Sequence, residues 1–468
     1  MRELPEEVVG DAYTSTFHWE VLESLVDVGN RMAGQDGERE GAEHVAAAFE
    51  ESGLRDVEVD EFEIDGWWRG SSRLESSGSH EETYAADYQV IGLPGTPSGD
   101  VEGPLIDVGY GRPEDFESVD LDGAVAMASS ETPDDYGRWL HRMEKYASAV
   151  EGGAVAFVFR NHVEGCLPPT GEIGYENRPG PIPAVGVSKE VGARLRRHAG
   201  PGRDEDGGEG DGGEGDDAND RDTDLSVRVD VDARNEPATS RNVAGELGPG
   251  TDEVVLVTSH LDAHDIAEGA ADNGAGTVLV AEVARLLSRV ESDLERRVRF
   301  VAFGAEEIGL KGAYHEAARV DLGDVACVLN LDVIGGSRSP AVMTNEFDAV
   351  EALFEEVTEA MDVPLETDGT VSPHSDQWAF VQEGVPGAMV ASASGESGRG
   401  WGHTHADTLD KLDVRDLRAL SVIVATAVLN AADASREFPA RGREGTRELV
   451  DEGYERELKI GDRWPYDE

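Results

Sequence analysis

Basic residues are scarce. The 468-residue chain carries 40 Lys and Arg against 98 Asp and Glu, for a formal net charge of −58, and only 5 of the basic residues are Lys. So acidic a chain repels phosphate backbones and anionic lipid surfaces, which excludes nucleic acid and membrane as partners. Cysteine is almost missing. Cys166 and Cys327 lie far apart, and Cys327 sits in the apolar run Val325-Ala326-Cys327-Val328-Leu329, so no disulfide framework is implied. Long apolar runs are absent too. The longest, Ala419 to Ala432, is too short to span a bilayer and contains Asn430. The opening residues Met1 to Glu7 have neither the basic nor the apolar region of a secretory leader, so the chain reads as cytoplasmic.

Apolar residues make up 39% of the sequence and gather in strand-like and helix-like runs, so the charge clothes a folded core and does not signal disorder. Excess acid with almost no Lys reads as adaptation to molar salt. At roughly 1 M salt the Debye length falls to about 3 Å, which screens the self-repulsion.

The length implies at least two domains. Helical faces are expected from Trp19, Leu22, Leu25 and Val26, then from Ala42, Val45, Ala46, Phe49 and Leu54, followed by a strand through Val57, Val59 and Phe62. From about Thr96 short strands such as Leu105-Ile106-Asp107-Val108 and Ala154 to Val158 alternate with turns, which marks a β-rich module over 96–225. Its end, 201–224, is acidic and glycine-rich and reads as a flexible insertion. After Leu225 strands and helices alternate: strands at Val254–Val257, Val298–Phe303, Ala326–Val333 and Gly387–Ser392, helices at Thr277–Val290 (with Val280, Val283, Ala284 and Leu287 on its one inner stripe), Leu310–Arg319, Val350–Met361 and Val414–Asp433. Such alternation predicts a three-layer α/β/α sheet domain built from 1–95 and 226–440, with the β-rich module inserted and an acidic tail over 441–468.

Carboxylates and imidazoles follow the predicted strands, where α/β sheets place their sites. Strand one ends in Ser259-His260-Leu261-Asp262, and a helix opens with Asp272-Asn273-Gly274-Ala275-Gly276. Strand two runs into Gly304-Ala305-Glu306-Glu307, strand three ends in Asn330-Leu331-Asp332, and Gly402-His403-Thr404-His405-Ala406-Asp407-Thr408 comes near the end. Alternate residues of a strand share a side, so Asp262 is placed to orient His260 or to share its metal. Each piece alone has an ordinary reading: a loop histidine, a helix cap, a solvated acidic face, turn chemistry. Together they supply two His and at least three carboxylates at converging strand ends, a donor set suited to Zn²⁺, with one acid left over as a general base.

These blocks, in this order and spacing, resemble those of the M28 family of dizinc exopeptidases. The resemblance implies a mixed-sheet zinc exopeptidase fold over 1–95 and 226–435, two Zn²⁺ per chain and a peptide substrate. It makes Asp272 the bridging carboxylate, with His260 and Asp332 completing one metal and Glu307 and His403 the other. Glu306 would be the general base, and Asp262 the partner of His260. Asn30-Arg31-Met32-Ala33-Gly34 with Glu38 resembles the family's N-terminal helix–loop, and the inserted module resembles a protease-associated (PA) domain. The sequence leaves open whether that module binds substrate, gates the site or supports a homodimer.

Two departures stand out. Gly402 occupies the place where the better-known aminopeptidases of the family often have an oxyanion-holding Tyr, and Gln377 stands where His is usual in the block Ser375-Asp376-Gln377-Trp378-Ala379-Phe380. His264, His374 and His405 are further imidazoles near the site, expected in structural or substrate-facing roles, with His405 the rival of His403. An aminopeptidase is the leading reading. A carboxypeptidase or dipeptidase, a non-catalytic receptor on the same fold and a monozinc cyclase are the alternatives.

Overall fold

The computed structural model describes residues 1–174, 179–199, 225–393 and 401–466. The acidic insertion expected over 201–224 lies outside them. The chain forms two compact units, one of Met1–Gly66 and Pro237–Tyr454, the other of Trp67–Glu236 and Glu455–Trp464. Two long strands, Arg55–Gly78 (where the sequence suggested only the stretch from Val57 to Phe62) and Leu225–Leu247, run through these boundaries, so the division falls within strands.

In the first unit the elements that matter are helices α1 (Phe17–Val26) and α2 (Asp36–Glu51), strands β1 (Leu225–Leu247, its C-terminal part) and β2 (Val254–His260), and helix α3 (Ala275–Ser288). They continue with β3 (Arg297–Phe303), α4 (Lys311–Ala317), β4 (Val325–Leu331), β5 (Pro340–Met343), α5 (Asp348–Met361), β6 (Glu366–Asp368), β7 (Gly387–Ser392) and α6 (Val414–Ala431). The sheet order is β6-β5-β7-β4-β2-β3-β1. Strands β3, β2, β4 and β7 are parallel, while β1 and β5 join antiparallel, so the sheet is mixed. The central β2, Val-Val-Leu-Val-Thr-Ser-His, is buried at every residue, as its unbroken apolar run requires.

Helix α3 was expected to bury one stripe. It is instead buried on nearly all sides, against the sheet on one flank and α1, α2 and α6 on the other. A helix with Val278, Leu279, Val280, Val283, Leu286 and Leu287 has apolar groups all round, and each fully buried one contributes about 1.5–3 kcal/mol. This fixes the helix start, and with it Asp272 and Asn273. Gly276 makes that fit possible: a Cβ there would lie 2.2 Å from Asn273 Oδ1 and 2.6 Å from the Leu331 carbonyl oxygen.

The second unit has parallel strands Gly99–Asp107, Val125–Ser129, Ala156–Arg160 and Ala184–Val187, with Val90–Gly92 antiparallel at one edge. Its core includes Leu105, Val125, Met127, Val158, Val185 and Val227. The stretch expected as an acidic tail forms helices Gly442–Arg447 and Glu452–Ile460. The acids there mask Val450, just before the second of these helices, and Tyr454 and Leu458, at i and i+4 within it, all three of them buried. No helix among the described residues is long and apolar enough to cross a membrane.

Candidate metal centre

Because β2, β3 and β4 are parallel, their C-terminal ends open on one edge of the sheet. Phe303 stands level with His260, and the chain then turns through Gly304 and Ala305 to Glu306 and Glu307. His260 Nε2 lies 3.3 Å from Asp272 Oδ1 and 3.4 Å from Asp332 Oδ1. The other oxygen of Asp272, Oδ2, lies 3.2 Å from His403 Nε2, which is 3.3 Å from Glu307 Oε2. Asp272 thus stands between two imidazoles and gives each one oxygen. All five residues are buried. Burial opposes ionisation of Asp272, but His260 and His403 outweigh it and hold its carboxyl well below the usual range. Glu306 goes the other way: burial pushes it well above the usual range, opposed by His260 and reinforced by Glu307, Asp332 and Asp272. Neighbouring carboxyls driven apart in this way mark an acid–base site.

The donor set fits cations. His260 Nε2 and Asp332 Oδ1 are buried without a hydrogen-bond partner, although buried polar atoms ordinarily have one. His260, Asp272 and Asp332 gather their donor atoms within 4.8 Å, and so do His264, Glu307 and His403. Imidazole with carboxylate is zinc chemistry, and a divalent cation in each group would satisfy atoms that water cannot reach.

Behind this layer the backbone is pinned by carboxylates. Asp262 accepts the N–H groups of Glu306 (3.1 Å) and Glu307 (3.2 Å), one on each oxygen. Its Oδ1 is 3.6 Å from His260 Nδ1, which comes nearer, 3.1 Å, to the Asp262 backbone oxygen. Asp262 therefore supports the two glutamates as much as the histidine. Asp407 does the same for the bridging position, accepting from Ala271 N (2.8 Å) and Asp272 N (3.1 Å). Ser375 donates to Asp332 Oδ2, and its hydroxyl is in turn held by Asn330 Nδ2 at 2.9 Å. The roles of Asp407, Ser375 and Asn330 were not evident in the sequence, where the only signal was their place inside recognisable blocks. Ala305 (φ 57°), Val333 (φ 50°), Ser375 (φ 70°) and His403 (φ 56°) all adopt left-handed backbone around the centre, an arrangement costly for residues other than glycine.

The N-terminal segment is built into the site. Arg31, fully buried, donates to four carbonyls: Leu261 and Gly269 (both 2.9 Å), Leu25 (2.9 Å) and Glu268 (2.7 Å). Burial draws its guanidinium down to about 10, with Asp407, Asp262 and Glu307 opposing. Glu38, also buried, accepts from Gly34 N at 2.9 Å and from the Ser240 hydroxyl, with Arg241 Nη1 3.6 Å away. Burial and then the charge of Asp262 push Glu38 up to about 8, against an ordinary 4.5. The folded protein therefore holds a proton that the unfolded chain releases. The stabilisation from this group is complete below the unfolded value and is lost as pH rises through about 8. Glu38→Gln keeps a neutral side chain, so its unfolding free energy relative to wild type should climb between about pH 5 and pH 8 and level off above, by at most about 1.4 kcal/mol per pH unit. A difference that stays constant across that range would mean that Glu38 is ionised in the fold.

Of the remaining imidazoles, His264 Nε2 lies 2.8 Å from Glu307 Oε2 and its ring meets that of His403 edge-on, 4.4 Å between centroids. His405 is exposed and belongs to no donor group, which leaves His403 as the histidine of its block in the centre. His374 packs edge-on against Tyr454, and its carbonyl accepts from Gln377 Nε2 at 2.8 Å. Gln377 also receives Asn330 Nδ2 at 3.2 Å, so the residue standing where His is usual takes part in the support of Asp332.

The chain is similar to known proteins over most of its length. The model of peptidase family M28 matches residues 242–428, and that of the PA domain matches 101–195. Aminopeptidase YwaD of Bacillus subtilis (strain 168) is 27% identical over 423 residues, covering 88% of this chain and 83% of the relative. Carboxypeptidase Q of Mus musculus is 23% identical over 437 residues, covering 90% and 87%. Among solved structures, BSAP, a zinc aminopeptidase from Bacillus subtilis, superposes with a TM-score of 0.67 at 26% identity, over 94% of this chain and 99% of that one.

Proposed function

Because this chain belongs to peptidase family M28 and carries a PA domain, we propose that it is a two-zinc aminopeptidase that removes residues from the N-termini of peptides. The observation that carries the reading is Asp272, one oxygen toward His260 with Asp332 and the other toward His403 with Glu307. His260 and Asp332 would hold one zinc, Glu307 and His403 the other, and Asp272 both. Bound there, zinc supplies Lewis acidity, lowering the pKa of water and stabilising negative charge on the carbonyl oxygen.

The rest falls to the chain's own groups. Glu306 takes a proton from the water as its oxygen adds to the scissile carbonyl carbon. The same carboxyl returns that proton to the amine nitrogen as the C–N bond breaks. Asp262 fixes the reach of Glu306 by holding its backbone N–H. The acids around the centre draw a cationic α-amine and repel a C-terminal carboxylate. Arg31, the guanidinium coupled to them, is committed to four carbonyls and is not available to a substrate carboxylate. This favours the aminopeptidase over the carboxypeptidase reading that the likeness to carboxypeptidase Q brings with it.

A panel of peptides with free and acetylated N-termini tests the assignment. Free N-termini should be trimmed and acetylated ones spared, chelation should abolish turnover, and zinc should restore it. Release of C-terminal residues from acetylated peptides would replace this reading with a carboxypeptidase; hydrolysis surviving full demetallation would remove the metal from it.

A further inference from the structure

We propose that His264 is a protein ligand of the metal held by Glu307 and His403, so that this half of the centre takes two imidazoles and the other half one. The inference rests on the two-metal reading above and goes beyond the five-ligand set. Its ground is the convergence of donors. His264 Nε2 and His403 Nε2 both approach the same oxygen, Glu307 Oε2, at 2.8 and 3.3 Å. Their rings stand at 80° to one another, and the three donor atoms lie within 4.8 Å with all three residues buried. Two imidazoles and a carboxylate, all buried and with their donor atoms gathered about one point, are the pattern of ligands around a shared cation.

The chain holds His264 in this position. It lies two residues beyond Asp262, next to Ala263, whose N–H is bound by the Arg31 carbonyl at 3.1 Å. The two halves of the centre would then differ chemically. One has His260 with Asp272 and Asp332; the other has His264 and His403 with Glu307 and a share of Asp272. The imidazole-richer half favours Zn²⁺, Co²⁺ and Cu²⁺ over Mg²⁺ and Mn²⁺, while the carboxylate-richer half discriminates less.

Titration of the demetallated full-length protein with Co²⁺, followed by equilibrium dialysis and visible absorption, tests this without any assay of turnover. Wild type should take up two ions of distinct affinity. His264→Ala should weaken one of them by about a hundredfold or more and change the cobalt spectrum of that ion, leaving the other as it was. His264→Asn, closer in shape and polarity, serves if the alanine variant does not fold, and His405→Ala, outside both groups, should bind like wild type. Two ions bound by the His264 variants with wild-type affinities and spectra would overturn the proposal while leaving the two-metal centre standing. A wild-type protein that binds no ion would overturn both.

Discussion

Glu306→Gln should cost about 10²–10⁴ in kcat while leaving metal content and melting temperature near wild type. Both halves of the expectation follow from the geometry. The backbone N–H of Glu306, which Asp262 holds at 3.1 Å, is untouched by a change at the side-chain terminus. Glu306 belongs to neither donor group, so its loss removes no ligand. The amide is isosteric but cannot accept and return a proton, so the deficit belongs to kcat and not to KM. Gln is also close in shape and uncharged, so the buried packing around position 306 is kept and the variant should melt near wild type. Metal analysis, thermal melting and steady-state kinetics on one preparation decide it. Retained turnover would strip Glu306 of the base role, and lost metal would make it a ligand.

Arg31→Lys carries the second large effect. One guanidinium reaches four carbonyls in different directions, those of Leu25, Leu261, Glu268 and Gly269. An ammonium is a compact point charge and cannot span them, so at least two buried acceptors lose their donor. Charge-assisted hydrogen bonds are worth about 1.5–3 kcal/mol each, which puts the destabilisation at about 3 kcal/mol or more. The damage should not stop at stability. Leu261 precedes Asp262, and Gly269 opens the turn into Asp272, so the loops that present the bridging carboxylate lose their tie to the N-terminal segment. Chemical denaturation should show the lower stability, and metal affinity should fall with it. A lysine variant as stable and as metal-loaded as wild type would mean that water can replace the guanidinium there.

Much of the centre was legible because its residues interrupt apolar runs. His260 ends a buried strand and Glu306, Glu307 and Asp332 each follow one, and parallel strands bring such positions to one edge whatever the details of the loops. The supporting residues were less legible for a physical reason. Asp407 and Ser375 act on backbone N–H and carboxylate groups 135 and 43 positions away, and no local pattern encodes a partner that distant. Asp262 shows the limit of strand periodicity: alternation placed it beside His260, but its two oxygens go to the N–H groups of the neighbouring strand's exit. Helix α3 was read as one-sided because the second layer of helices that covers it is set by α1, α2 and α6, which are distant in sequence. The terminal helices were hidden by composition, since three buried apolar residues carry little weight among so many acids.

The left-handed backbone at Ala305, Val333, Ser375 and His403 has an evolutionary consequence. Each such residue withholds about 1–3 kcal/mol that a relaxed conformation would return to the fold. At these four positions, selection for heat resistance and selection for turnover pull in opposite directions. A library of variants ranked by melting temperature alone will drift toward sequences that let these turns relax, and it will lose the placement of Glu306, Asp332 and His403 as it does so. Improving such an enzyme's durability therefore belongs elsewhere in the chain, away from the strand exits.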